Sequence, residues 1–200
     1  MHLFSYYHEK VRILLERRKT LVLFAALYAI CLILGIVFIK TPSVYEYHFR
    51  SCERFLNRVC YSQTNVVLIF LKRTLGCCAY LALISVCSVH IIPACAMIPT
   101  VLCYRAYTFG GAAWIFVSVY KMSGVFVLLV LYVPIRLLCD FIYVCCSVCS
   151  FARVKEFSWQ KRDFAQLFSN FIRDCILIVA VCLLEMILLL VLYHPIGALL

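Results

Sequence analysis

Three features of this sequence predict an all-α fold, a polytopic membrane helix bundle of about five transmembrane helices with amphipathic interfacial helices beside them. Of the 200 residues, 66% are hydrophobic and 14% charged, and the mean hydropathy is +1.02. Soluble domains are only about 45–50% apolar. The apolar runs reach the roughly twenty residues, about 30 Å of helix, that a bilayer core requires. The Lys and Arg residues fall mostly at the ends of those runs, where they set topology and meet anionic headgroups. The whole chain, 1–200, reads as one integral membrane domain with no length left for a soluble catalytic domain.

The N-terminal stretch carries Lys10, Arg12, Arg17, Arg18 and Lys19, with Leu3, Tyr7, Val11, Leu14 and Leu15 at helical spacing. That pattern predicts a short interfacial helix. Residues 20–39 hold no charge between Lys19 and Lys40 and form the first span, too long for a signal-peptide core. Residues 44–73 differ in kind: Tyr45, Phe49, Cys52, Leu56 and Val59 recur every three or four positions between Glu46, Arg50, Glu53, Arg54 and Arg58. This predicts an amphipathic helix on the membrane surface, with the short apolar run 65–71 before Lys72 and Arg73 either continuing at the interface or turning into the next span. Its exposed face, with Tyr45, Phe49, Arg50, Arg54 and Arg58, is the candidate surface for a protein partner.

Residues 75–92 give the second span, closed by the Ile92–Pro93 step because a residue before proline is pushed out of the helical region. Pro93 suits the first turn of the third span, 93–120. Lys121, Met122, Ser123 and Gly124 form a hinge, and 124–150 is the fourth span, with Pro134 expected to kink it beside Arg136. A polar connection and an amphipathic lead-in with Leu167, Phe168 and Phe171 precede the fifth span, 174–193. With the N-terminus in the cytoplasm, the connections on that side carry ten Lys and Arg against seven on the other, which favours this orientation at the cell membrane.

Charges inside the spans are the candidates for function. Arg105 and Arg136 each lie about twelve residues, some 18 Å of helix, from a span end, too far for the side chain to reach water. Asp140 is four residues after Arg136 on the same helix face, and Glu185 lies near the middle of the last span. The expected pairs are Arg136 with Asp140 and Arg105 with Glu185, a neutral network joining spans three, four and five. Three roles fit such a network: a folding clamp, a proton or substrate path, or a lateral contact with a partner's span.

Other patterns are weaker. Cys145, Cys146 and Cys149 form a C-C-x-x-C run, but no second Cys/His cluster completes the four ligands of a structural zinc, so the expectation is helix packing and no metal. His90 and His194 stand near span ends, and Gly110 and Gly111 allow close helix approach. No nucleophile-elbow, zincin or P-loop motif is present, which predicts no catalytic set, no cofactor and no small-molecule substrate. No basic run is interleaved with aromatics as nucleic-acid binding would need.

Several short motifs occur in a particular order: Phe70-Leu71-Lys72-Arg73, then Pro99-x4-Tyr104-Arg105-x-Tyr107-x2-Gly110, then the Gly124-Val125 turn, and Glu185 followed by Pro195. In layout and in these motifs the chain resembles the stage II sporulation protein M family over almost its whole length. The resemblance implies a non-enzymatic polytopic protein that holds peptidoglycan-degrading partners at the septal membrane during engulfment. The expected partners are then the lipid bilayer and other membrane or cell-wall-remodelling proteins. A permease-like subunit working with a separate motor also uses buried charges and stays open as an alternative, distinguished by a polar cavity or internal repeats. An enzyme acting on lipids would need a nucleophile and base at useful spacing, which the chain lacks.

Overall fold

The computed structural model of the chain describes residues 2–60, 66–156 and 164–197. Lys161 and Arg162, two of the ten cations assigned to the cytoplasmic side, lie outside them, as do 61–65. The described residues form helices throughout, with no strand among them: α1 (His2–Glu16), α2 (Arg18–Phe38), α3 (Pro42–Cys60), α4 (Val66–Cys87), α5 (Ile91–Val127), a π-helical turn (Leu128–Tyr132), α6 (Val133–Glu156) and α7 (Phe164–Gly197). Four helical stretches are long and apolar enough to cross a membrane, namely Arg18–Phe38, Phe70–Cys87, Ile91–Val130 and Val133–Ala152. In α7, Glu185 is the one charged residue between Asp174 and His194, so the fifth apolar run also lies in a helix. Val22, Leu23, Ile30 and Ile33 of α2 and Leu75 and Val86 of α4 are exposed. Such outward apolar faces suit lipid, where helices satisfy every backbone group internally.

The centre of the bundle is an antiparallel hairpin. Lys121, the hinge expected from sequence, is the one residue of α5 outside helical geometry, at φ 49° and ψ −127°. A positive φ is uncommon for a residue with a Cβ and reverses the chain sharply here. The two arms then face each other: the π turn sets Tyr132 between Phe109 and Phe116, with ring centroids 5.9 and 5.4 Å away. Pro134 lies inside an unbroken helix, as expected: Val133 keeps helical geometry and donates to the Leu128 carbonyl, and the π turn just before the proline carries the irregularity.

α2 crosses this hairpin closely. A Cβ on Gly35 would overlap the Tyr107 carbonyl, and one on Gly110 the Leu32 carbonyl, so only glycine at both positions lets the backbones meet. Two apolar cores lie along the hairpin. One gathers Leu81, Ile98, Leu102, Tyr143 and Ile178, and the other gathers Ile39, Ile115, Phe116, Val127 and Ile135 near the hinge. In sequence along the two arms, Arg105 and Arg136 fall between the two cores, and Asp140 follows directly on Cys139 of the first.

Two helices differ from expectation. The surface segment 44–73 is divided, and its end takes the second of the two expected courses, turning into the next span: α3 ends at Cys60 and α4 begins at Val66, placing Lys72 and Arg73 two turns inside a long apolar helix. α3 seats His48, Cys52 and Phe55 against α5, with the Cys52 thiol 3.8 Å from the Ala112 carbonyl and the Phe55 ring 6.0 Å from Phe116. α1 is likewise docked, burying Tyr6 and Lys10 against α7.

Candidate functional site: charge clamps around a cationic cavity

Asp140 is the hub of the central network. It is 2% exposed and accepts from Arg105 Nε at 2.6 Å, from Arg136 Nε at 3.1 Å and from the Tyr28 hydroxyl of α2. Arg136 also donates through Nη2 to the Arg105 carbonyl at 2.9 Å and to Thr108 Oγ1 at 3.0 Å. The Arg105 guanidinium sits between two aromatic faces, 4.2 Å from the Tyr143 centroid and 4.9 Å from that of Tyr80. Cation–π contacts of this kind contribute most where water is excluded. The Tyr143 hydroxyl in turn donates to the Cys77 carbonyl at 2.9 Å, tying α6 to α4.

The expected pair of Arg105 with Glu185 does not form. Glu185 pairs instead with Arg73, at 3.1 Å from its Nε, and Arg105 shares Asp140 with Arg136. The reason is topological: α4 begins early enough to carry Arg73 to the depth of Glu185, while the hairpin places Asp140 beside both of its own arginines. A third clamp joins the N-terminal helix to α7. Lys10, 7% exposed, donates to Asp174 Oδ1 at 2.5 Å and contacts Cys146 Sγ at 3.4 Å, while the Tyr6 hydroxyl reaches Asp174 at 3.0 Å. Burial works against the charged lysine, yet Cys146 and Asp174 outweigh it and hold the ammonium above its ordinary range.

A cavity of about 440 Å³ opens beside the central network, bounded by α3, α4, α5, the π turn and α6. Five cations line it, Arg54, Lys72, Arg73, Arg105 and Arg136, with Tyr47, Tyr80, Tyr104 and Tyr132 between them and no carboxylate in the wall. Arg54 and Lys72 are exposed at its edge, where the Tyr47 and Tyr104 hydroxyls lie 3.2 Å apart. Two lining groups deep in the wall have no hydrogen-bond partner, Arg105 Nη2 and His48 Nε2. Burial lowers the His48 imidazole below its ordinary pKa, so this ring is neutral near pH 7.

Of the predicted site residues, Arg105, Arg136 and Asp140 come together, Glu185 belongs to a separate pair, and Arg54 joins the cavity. On the proposed partner face, Tyr45 stacks on Phe49 at 6.0 Å, Arg50 pairs with Glu46, and Phe49 turns partly inward to the core. Arg58 lies outside the residues whose side chains are described. Among the described residues no group of three or more His, Cys, Asp or Glu is arranged to hold a metal ion. Sequence reasoning missed Lys10, Tyr28, Arg73 and Asp174. For Lys10 a signal exists, because it falls on the helix face of Leu3, Tyr7 and Leu14. No family model matches the chain, and neither the curated proteins nor the solved structures contain a match.

Proposed function

We propose that this chain is a non-enzymatic, multi-pass scaffold of the cell membrane, with its N-terminus in the cytoplasm, that holds other proteins of a cell-envelope complex at the bilayer. The observation that carries this reading is the state of the buried carboxylates. Among the described residues, Asp140, Asp174 and Glu185 are the buried acids, and each is engaged by a cation from another helix. Acids held this way lock helices together and leave none of the buried carboxylates among the described residues free for a proton relay or for general acid–base work. The outer face of α3, with Tyr45, Arg50 and Arg54, is then the surface offered to a partner. Resemblance to the sporulation engulfment component supports the same role and makes cell-wall-degrading enzymes the expected partners.

The cavity favours a second reading, a permease-like subunit, because a polar space lined by cations is what a substrate path would need. Pull-down of the tagged protein in mild detergent from sporulating cells, together with a deletion scored for engulfment, separates the two. Co-purification of a cell-wall hydrolase and arrested engulfment support the scaffold. Recovery of the chain alone with normal engulfment overturns it in favour of transport.

A further inference from the structure

We propose that the cavity between α3, α4, α5 and α6 is a binding site for a phosphate-bearing anion. The charge balance points there first. Five lining cations, less the Asp140 and Glu185 carboxylates that pair with three of them, leave three positive charges facing a space whose wall has no acid. Surplus charge of one sign in a low-dielectric concavity focuses field and draws counter-ions inward.

The donors point to phosphate in particular. Arg105 is 3% exposed and its Nη2 has no acceptor, although its Nε is held at 2.6 Å by Asp140. A buried guanidinium nitrogen without an acceptor is costly unless a ligand supplies one. His48, whose Nε2 also has no partner, and the polar residues Tyr80 and Tyr104 line the same space. Arginine forks match the paired oxygens of a carboxylate or a phosphate and not a halide, and three surplus positive charges around one space favour the phosphate, which carries more charge and more oxygens. About 440 Å³ falls within the roughly 300–1,000 Å³ of small-molecule sites and accommodates a phosphate with a small polar substituent. Such a group is supplied either by the headgroup of an anionic lipid or by a soluble phosphate. The inference is independent of whether the chain is a scaffold or a permease.

Arg54 and Lys72 are the residues to test, since they line the cavity from exposed positions and hold none of the clamps. The full chain in maltoside micelles, at constant ionic strength set with chloride, is titrated with inorganic phosphate in one arm and phosphatidylglycerol in the other. The thermal unfolding midpoint is followed in both. The expected result is a saturable rise in at least one arm, with the R54Q/K72Q variant needing at least ten times more ligand while its midpoint without ligand is unchanged. A rise with phosphatidylglycerol alone assigns the site to a lipid headgroup, and a rise with inorganic phosphate assigns it to a soluble anion. No rise in either arm, or equal titrations for variant and wild type, overturns the proposal.

Discussion

Changing Asp140 to asparagine is the sharpest test of the central network. The substitution preserves shape and removes the one charge that both Arg105 and Arg136 share in a site where Asp140 is 2% exposed. Removing one member of a buried ion pair costs about 3–5 kcal/mol, because the remaining charge is left uncompensated. Two arginines do not double that figure. Arg136 keeps the Arg105 carbonyl and Thr108 Oγ1 as acceptors, whereas Arg105 keeps the faces of Tyr143 and Tyr80 and at most a neutral amide oxygen, so the loss falls mainly on Arg105. Against a total stability of about 5–15 kcal/mol, the variant loses about a fifth or more. The readout is denaturant unfolding in detergent, followed by labelling of the buried thiols Cys139 and Cys146 as they become reactive. Adding Arg105→Met to Asp140→Asn removes the stranded charge and recovers part of the loss. A cost below about 1 kcal/mol for Asp140→Asn, or a double variant as unstable as the sum of the singles, refutes the shared-carboxylate reasoning.

Two further outcomes follow from the packing. In a double-mutant cycle, Arg73→Met and Glu185→Gln couple by about 1 kcal/mol, the low side of the usual range because the arginine is one-third exposed, while Arg105→Met and Glu185→Gln add within about 0.5 kcal/mol. Coupling between Arg105 and Glu185 would restore the pairing that the sequence suggested. At the crossing of α2 and α5, Gly110→Val destabilises by about 1–3 kcal/mol, since the new carbon meets the Leu32 backbone and has no flexible neighbour to displace. Gly76→Ala, which meets nothing within 4 Å, serves as its control and gains about 0.5–1 kcal/mol of helix stability in the same unfolding measurement.

Much of the architecture is legible in the chain because a bilayer imposes simple arithmetic. Residues 20–38 of the first predicted span fall inside α2 and 174–193 inside α7, and the Lys-Met-Ser-Gly hinge marks the reversal at Lys121. The Arg136–Asp140 pair is legible too, as spacing of four on one helix fixes the neighbour. Partners on different helices are not. Depth counts put Glu185 and Asp140 at similar levels but say nothing of which face each helix turns inward, so Arg105 is matched to the wrong acid. Lys72 and Arg73 look like a boundary because hydropathy counts a charge the same whether it is paired or solvated. The cavity has no local signature at all, since its cations come from α3, α4, α5 and α6 and meet only when those helices are assembled.

The three clamps also differ in how much chain must be made before each can close. Arg105 and Asp140 are 35 residues apart and lie within one hairpin, whereas Arg73 and Glu185 are 112 apart and Lys10 and Asp174 are 164 apart. Closing the longer loops costs about 1 kcal/mol more entropy than closing the hairpin, a small penalty beside the delay itself. During synthesis the hairpin therefore brings both of its buried arginines to the shared carboxylate, leaving one net positive charge, while α7 is still absent. Lys10 has no counter-charge until Asp174 emerges, which makes α1, synthesised before the other helices described here, one of the last to be fixed in place.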